Sequence, residues 1–403
     1  MKTVAILGTL DTKGPEYKFL KECIVKAGCE TLVIDAGIKG APYFTADITR
    51  EQVAEAAGES LQAIVDKDDR GYAIEMMRNG AAKIVMELFG QGKFDGIVSL
   101  GGTAGTTIGS YSMQKLPVGF PKLQVSTVAS GDTRPYVGAK DVTMMYSVVD
   151  IAGLNSISKK IISNAGYAIA GMVANDAAIA DEKPLITATM FGVTTPCVNK
   201  AREYLEEKGY EVLVFHATGT GGQSMEALVE AGFIKGVLDI TTTEWCDELV
   251  GGVFNAGPNR LEAAAKSGVP QVVSAGALDM VNFGAMDTVP QKFKGRNLYV
   301  HNPTVTLMRT TVEENSELGA VISSKLNMCT NKAALMIPLK GVSLIDSPGK
   351  PFYGPEEDKA LFNALKTGLN NPNVEIIELD NEINDTEFAV AMAEKLCRLI
   401  ETN

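Results

Sequence analysis

The 403 residues are too many for one small binding module and suit two or three domains of roughly 150 residues each. A composition of 45% hydrophobic and 21% charged residues, with 40 glycines, is that of a globular chain with a surplus of tight turns. Lys and Arg number 37 against 49 Asp and Glu, and the net charge of −12 excludes broad nucleic-acid or anionic-membrane surfaces while allowing a small anion held by backbone amides.

Short β-branched runs alternate with helical patterns along the chain, the signature of βαβ units and a parallel sheet. Residues 4–7 read as the first strand. Pro15 stands where a helix begins, and Phe19, Leu20, Cys23, Ile24 and Ala27 share one face of it before Gly28 closes it. Residues 31–34 form the second strand, with Asp35 at its carboxyl end. Further strands are expected at 96–100, 123–128 and 142–149, then a helix over 156–174. Residues 175–184, with Asp, Glu, Lys and Pro, interrupt the apolar rhythm as a linker does. The pattern restarts with strands at 185–190, 211–216, 236–241, 271–275, 297–301, 334–339 and 375–379. Thr311 and Glu314 have capping-box spacing ahead of a helix over 318–326. The expected fold is α/β: two Rossmann-like domains, 1–180 and 184–403, each a mainly parallel sheet flanked by helices.

The six scattered cysteines form no CxxC pair and suit reduced thiols in a cytoplasm. The first residues lack the pattern of a signal peptide, and no run reaches the roughly 18 apolar residues of a membrane span. A cytoplasmic protein is expected.

Ligands of open parallel sheets sit beyond the carboxyl ends of the strands. Three such ends in the first half pair glycine with hydroxyls: Thr9, Asp11, Thr12 and Lys13; Gly101, Gly102, Thr103, Gly105 and Thr106; and Ser130, Gly131, Asp132 and Thr133. Glycine lets the backbone approach a phosphate, successive amides form a nest, and hydroxyls add donors beside a helix dipole. A nucleotide is the natural guest, although none of the loops is a Walker A sequence and each alone also suits a plain turn. Asp11 or Asp132 suits Mg²⁺ beside a triphosphate, and Asp35 suits ribose hydroxyls, against the ordinary roles of helix cap or solvated turn. Lys159 and Lys160 read as surface lysines or as neighbours of an anion.

The second half holds both histidines, His216 and His301, at expected strand ends. Gly219, Gly221 and Gly222 follow His216 in a turn suited to a carboxylate or phosphate, and Glu226 lies one turn into the next helix. Glu244, Cys246 and Asp247 gather after another strand, and Asp279 after a third. A histidine beside a carboxylate serves as a general base, and Cys246 would be a nucleophile if a histidine lowered its pKa, although cysteine is more often a buried apolar residue. Arg260 and Arg309 can clamp an anionic metabolite or make ordinary ion pairs. His216, His301, Glu244 and Asp247 lack the regular spacing of a zinc site, and no metal centre is expected from them. The alternative to a nucleotide-binding protein is thus a hydrolase or lyase using His216, Glu244, Cys246 and Asp247 on a small carboxylated metabolite.

The segments LGTLDTKGPEYKFL, SLGGTAGTT, STVASGDT, SVVDIAGLN, TMFGVTTPCV, VFHATGTGG, DITTTEWCDEL, AGALDMVNFG and YVHNPTVTLMRTT resemble, in order and over nearly the whole chain, the family of the tomato mosaic virus resistance protein and its bacterial members. The resemblance implies an N-terminal ATP-binding domain joined to a second Rossmann-like domain, assembled as a homodimer or higher homo-oligomer. It puts the nucleotide loops on Thr9 to Lys13, Gly101 to Thr106 and Ser130 to Thr133. The plant proteins' inhibition of viral RNA replication is not carried over, because it depends on a partner surface that these loops do not encode. A further C-terminal barrel found in some relatives is not expected in this length.

Overall fold

A computed structural model describes residues 1–175 and 183–403. The expected linker falls mostly on residues 176–182, outside the described residues. The chain divides into two compact units, Met1–Ala180 and Asp181–Asn403.

The first unit runs β1 (Thr3–Gly8), α1 (Gly14–Lys26), β2 (Glu30–Asp35), α2 (Arg50–Ala57), α3 (Leu61–Asp66), α4 (Arg70–Gly90), β3 (Gly96–Gly101), α5 (Thr103–Lys115), β4 (Lys122–Ser126), α6 (Arg134–Val137), β5 (Thr143–Tyr146) and α7 (Ser156–Ala174). Its five strands are parallel in the order β2-β1-β3-β4-β5. Alternation along β1 decides the layers. Val4 and Ile6 pack with Tyr17, Leu20 and Ile24 of α1 and Ile162, Ala165 and Ile169 of α7. Ala5 and Leu7 face the opposite layer, with Val53, Ile64, Met77 and Ile108 from α2 to α5.

This strand order reverses direction between β1 and β3, the topological switch point of a doubly wound sheet. The pairing of β1 with β3 ends at Leu7 and Ser99, and the buried Tyr17 joins the strand ends beyond it. Its hydroxyl accepts from the Leu100 amide at 3.1 Å and lies 3.1 Å from the Leu7 carbonyl. Gly8 is required beneath the ring, because a Cβ there would lie 1.9 Å from the Tyr17 ring carbon.

The second unit runs β6 (Leu185–Met190), α8 (Thr195–Glu207), β7 (Glu211–His216), α9 (Thr220–Glu230), β8 (Ile234–Thr241), α10 (Glu244–Val250), α11 (Ala263–Ser267), β9 (Gln271–Gly276), β10 (Met280–Phe283), β11 (Leu298–Asn302), β12 (Val305–Arg309), α12 (Val312–Leu326), β13 (Ala333–Pro338), α13 (Pro355–Gly368), β14 (Val374–Leu379) and α14 (Thr386–Glu401). Six strands form a parallel sheet in the order β14-β13-β9-β8-β6-β7, with its switch point between β6 and β8. The strand expected at 297–301 does not join it: β11 belongs to a separate antiparallel sheet ordered β10-β12-β11. Two more strands of that sheet, β10 and β12, were not expected. The capping box at Thr311 and Glu314 is present, and it opens α12 at Val312, six residues before the expected start at 318.

Candidate functional site

The loop after β1 and the loop after β3 meet at the switch point of the first unit. They line one cleft of about 300 Å³ with Ala36, Ile38 and Lys39 after β2, and Arg70, Ala73, Ile74 and Met77 of α4. The two loops give it a polar lining of Thr9, Asp11, Thr12 and Lys13 and of Gly102, Thr103, Ala104 and Gly105. The rest of the lining includes the apolar Ala36, Ile38, Ala73, Ile74, Met77 and Ile108. The helices α1 and α5 start here, at cap residues Lys13 and Gly102, and among the described residues neither start carries a side-chain cap. The first turn of α5, Thr103 to Gly105, lies in the cleft wall with the positive end of its dipole behind it, whereas α1 reaches the cleft through its cap residue Lys13, Pro15 in its first turn having no amide hydrogen.

Asp11 bridges the two loops on the β2 side. Its Oδ2 accepts from the Lys39 amide at 2.6 Å, while its buried Oδ1 has no hydrogen-bond partner among the described residues. Such an oxygen suits a cation or a donor brought by a ligand. Thr12 and Thr9 hydroxyls lie 3.0 Å apart.

Several expected contacts are spent elsewhere. Asp35 is 1% exposed and accepts from the amides of Leu10 at 3.0 Å and Gly37 at 2.9 Å, so it fixes the loops instead of meeting a ribose. Burial pushes its carboxyl up, against those two amides. Thr106 is buried with its hydroxyl 2.7 Å from that of Ser126, pinning the start of α5 to the end of β4. Gly101 ends β3 just below the cleft lining. The third loop stays outside: Ser130, Gly131, Asp132 and Thr133 are not part of the cleft wall, and Asp132 makes a two-point pair with Arg134 at 2.8 and 2.7 Å. That pair and the Arg134 amide hold the Asp132 carboxyl at about 2. Lys159 and Lys160 are exposed on α7, behind an Asn155 cap. Lys39, Arg70, Ala73, Ile74 and Met77 were not anticipated. The i, i+4, i+8 spacing of Ala73, Met77 and Ala81 behind the Asp69 cap was the available signal of an apolar helix face.

In the second unit the catalytic set does not assemble. His216 is exposed at the end of the edge strand β7, its ring against Phe191 at 6.2 Å between centroids. Glu244 is buried, and its Oε1 accepts from the amides of Gly219 at 2.7 Å and Gly222 at 3.1 Å. The turn does receive a carboxylate, but it is the chain's own. Gly222 is needed for this, since a Cβ would come within 2.2 Å of the Glu244 carboxylate. Cys246 is fully buried, its Sγ 3.4 Å from the Leu278 carbonyl, and burial pushes the thiol well above its ordinary value, the reverse of a nucleophile. His301 is exposed on β11, in the other sheet. Among the described residues no three His, Cys, Asp or Glu side chains gather as a metal-holding group.

Both expected anion clamps are internal. Arg260 lies among Asp239, Glu244 and Glu226, and Arg309 among Asp346, Asp358 and the facing Asp279. The second switch point is covered as well. The Leu344 amide donates to the Val193 carbonyl and the Ala277 amide to that of Val342, and Phe352 packs there with Val193, Ala277, Met280 and Leu307.

Asp247 accepts from the amides of Asn282 at 2.6 Å and Phe254 at 2.8 Å, and burial nonetheless raises its pKa to about 7. Between its unfolded value of about 3.9 and that raised value, the native state holds a proton that the unfolded chain has lost. Its contribution to stability is therefore full below about pH 4 and declines as pH rises to about 7. Asp247→Asn, which cannot ionise, is expected to gain on the wild type across that interval in urea unfolding followed at pH 5, 6, 7 and 8. A difference that stays constant with pH would contradict this.

Residues 2–178 match the N-terminal domain, and residues 183–400 the C-terminal domain, of the uncharacterised protein family UPF0261. A UPF0261 protein of Clostridium tetani is 61% identical over 99% of both chains, and one of Rhizobium meliloti is 46% identical over 97% of both. The tomato mosaic virus resistance protein Tm-1(GCR237) of Solanum lycopersicum is 45% identical over 98% of this chain, which spans 55% of that protein's length. Solved structures match only loosely: a family 9 glycosyl transferase of Veillonella parvula has a TM-score of 0.23 at 10% identity over 100% of this chain and 96% of its own. Among the described residues no helix is long and apolar enough to cross a membrane. The chain belongs to the UPF0261 family, and the tomato Tm-1 proteins are among its homologues.

Proposed function

We propose that the first unit binds ATP as its magnesium complex in the switch-point cleft, as a regulatory ligand. The phosphates lie on the first turn of α5 and against the Lys13 cap of α1, with Thr9, Thr12 and Thr103 adding hydroxyl donors and Lys13, Lys39 and Arg70 supplying positive charge. The base packs on the apolar lining of Ala36, Ile38, Ala73, Met77 and Ile108. Asp11 is the residue that would hold Mg²⁺, which neutralises phosphate charge when bound. One observation supports the reading above others: two helix starts without side-chain caps meet at a single cleft whose lining joins glycine, hydroxyl and basic residues to apolar ones. That mixed lining suits a nucleotide better than a simple anion or a simple hydrophobe.

The enzyme alternative loses its support because Glu244, Cys246 and Asp247 are committed to buried contacts and His216 stands apart from them on the surface. Titration calorimetry of the full chain with ATP tests the proposal. Binding is expected with magnesium, weakened by chelator, and Asp11→Asn is expected to remove the magnesium dependence. No heat and no shift in melting temperature at millimolar MgATP would reject it.

A further inference from the structure

Lys13 lines the cleft, yet its ammonium donates to the main-chain carbonyl of Ile151. Ile151 belongs to residues 147–155, the connection from β5 to α7. A second tether holds the same connection: the buried carboxylate of Glu16 accepts from the Gly153 amide at 2.6 Å. Both tethers come from the start of α1, Lys13 as its cap residue and Glu16 in its first turn.

Between β5 and these tethers the backbone is strained. Val148, a β-branched residue, has φ of 61° and is 60% exposed, and the Val149 amide donates to the Ser147 carbonyl at 2.6 Å in a three-residue turn. Such a conformation costs free energy and persists only where its surroundings enforce it. Beyond the tethers, Asn155 caps α7, the last described helix of the first unit.

The Ile151 carbonyl is a neutral acceptor. A phosphate at the start of α1 offers the same ammonium an ionised one, adding attraction between opposite charges to a hydrogen bond already assisted by the lysine's own charge. We propose that nucleotide binding transfers Lys13 from the Ile151 carbonyl to a phosphate, loosens residues 147–155, and so passes occupancy of the cleft to α7. The inference rests on the nucleotide reading of the cleft. The Ile151 side chain is 2% exposed and stays in the core, so the loosening is local.

Hydrogen–deuterium exchange of the full chain, with and without MgATP at a concentration shown by calorimetry to saturate it, tests the coupling. Peptides covering 147–155 are expected to exchange about tenfold faster with nucleotide, the order set by losing one hydrogen bond to a charged group, while peptides of β1 and α5 slow. In Lys13→Met the same connection is expected to exchange fast without nucleotide and to ignore its addition. Binding heat with unchanged or slower exchange at 147–155 overturns the coupling and leaves the nucleotide reading standing. A Lys13→Met chain matching the wild type without nucleotide also overturns it. Absence of binding heat overturns the nucleotide reading, and the coupling with it.

Discussion

Ala104→Glu is expected to lower ATP affinity at least a hundredfold in calorimetry without lowering the melting temperature. Ala104 is the second residue of α5, partly exposed, and lines the cleft. A carboxylate in a first helical turn favours the helix by about 0.3–1 kcal/mol, because it faces the positive end of the dipole. The same carboxylate occupies the amides that a phosphate needs and repels it, and a hundredfold loss corresponds to about 2.7 kcal/mol. The two effects have opposite signs on stability and binding, so a misfolded variant cannot imitate the result. Ala104→Gln separates charge from bulk and is expected to lose far less. Wild-type affinity in Ala104→Glu would mean that the phosphates do not lie on α5.

Arg260→Met is expected to destabilise the second unit by about 3–5 kcal/mol, the usual cost of removing one partner from a buried ion pair. Arg260 is 2% exposed and donates to Asp239 at 2.6 and 2.8 Å, to Glu244 at 2.6 Å and to Glu226 at 3.2 Å. Asp239 and Glu244 are each 1% exposed, so water cannot take its place. Differential scanning calorimetry should show the transition of the second unit falling by about 10 °C at pH 7. Burial already raises the carboxyls of Glu244 and Glu226 against the pull of Arg260, and without it they protonate more readily. The gap to the wild type should therefore narrow as pH is lowered from 7 to 5. A loss below about 1 kcal/mol would show that the unit carries the triad without its counter-charge.

The layers of both units were legible because β1, β3 and their counterparts are runs of apolar and β-branched residues, a signal carried by composition and spacing alone. The antiparallel sheet was not. Met280–Phe283 has four residues and Val305–Arg309 five, and what distinguishes them is pairing with each other, which periodicity does not report. At the candidate site, glycine and threonine marked the loops after β1 and β3 correctly as strand ends, but they marked the loop after β4 equally well. Strand order alone separates them: β1 and β3 flank the reversal and β4 does not. Asp35 and Glu244 were misread for a common reason. A carboxylate at a strand end looks the same in sequence whether it faces a ligand or the amides of a neighbouring loop. Only the fold brings Leu10 and Gly37 to one, and Gly219 and Gly222 to the other.

The Glu244 carboxylate makes α9 a socket already plugged by a covalently attached tenant. A free metabolite competing for those amides faces an effective local concentration that no dissolved anion matches, so the second unit is self-saturated at that point. The start of α9 is thus filled from within the second unit by one of its own side chains. Any descendant that recruited α9 for an external guest would first have to evict position 244 and rehouse its arginine.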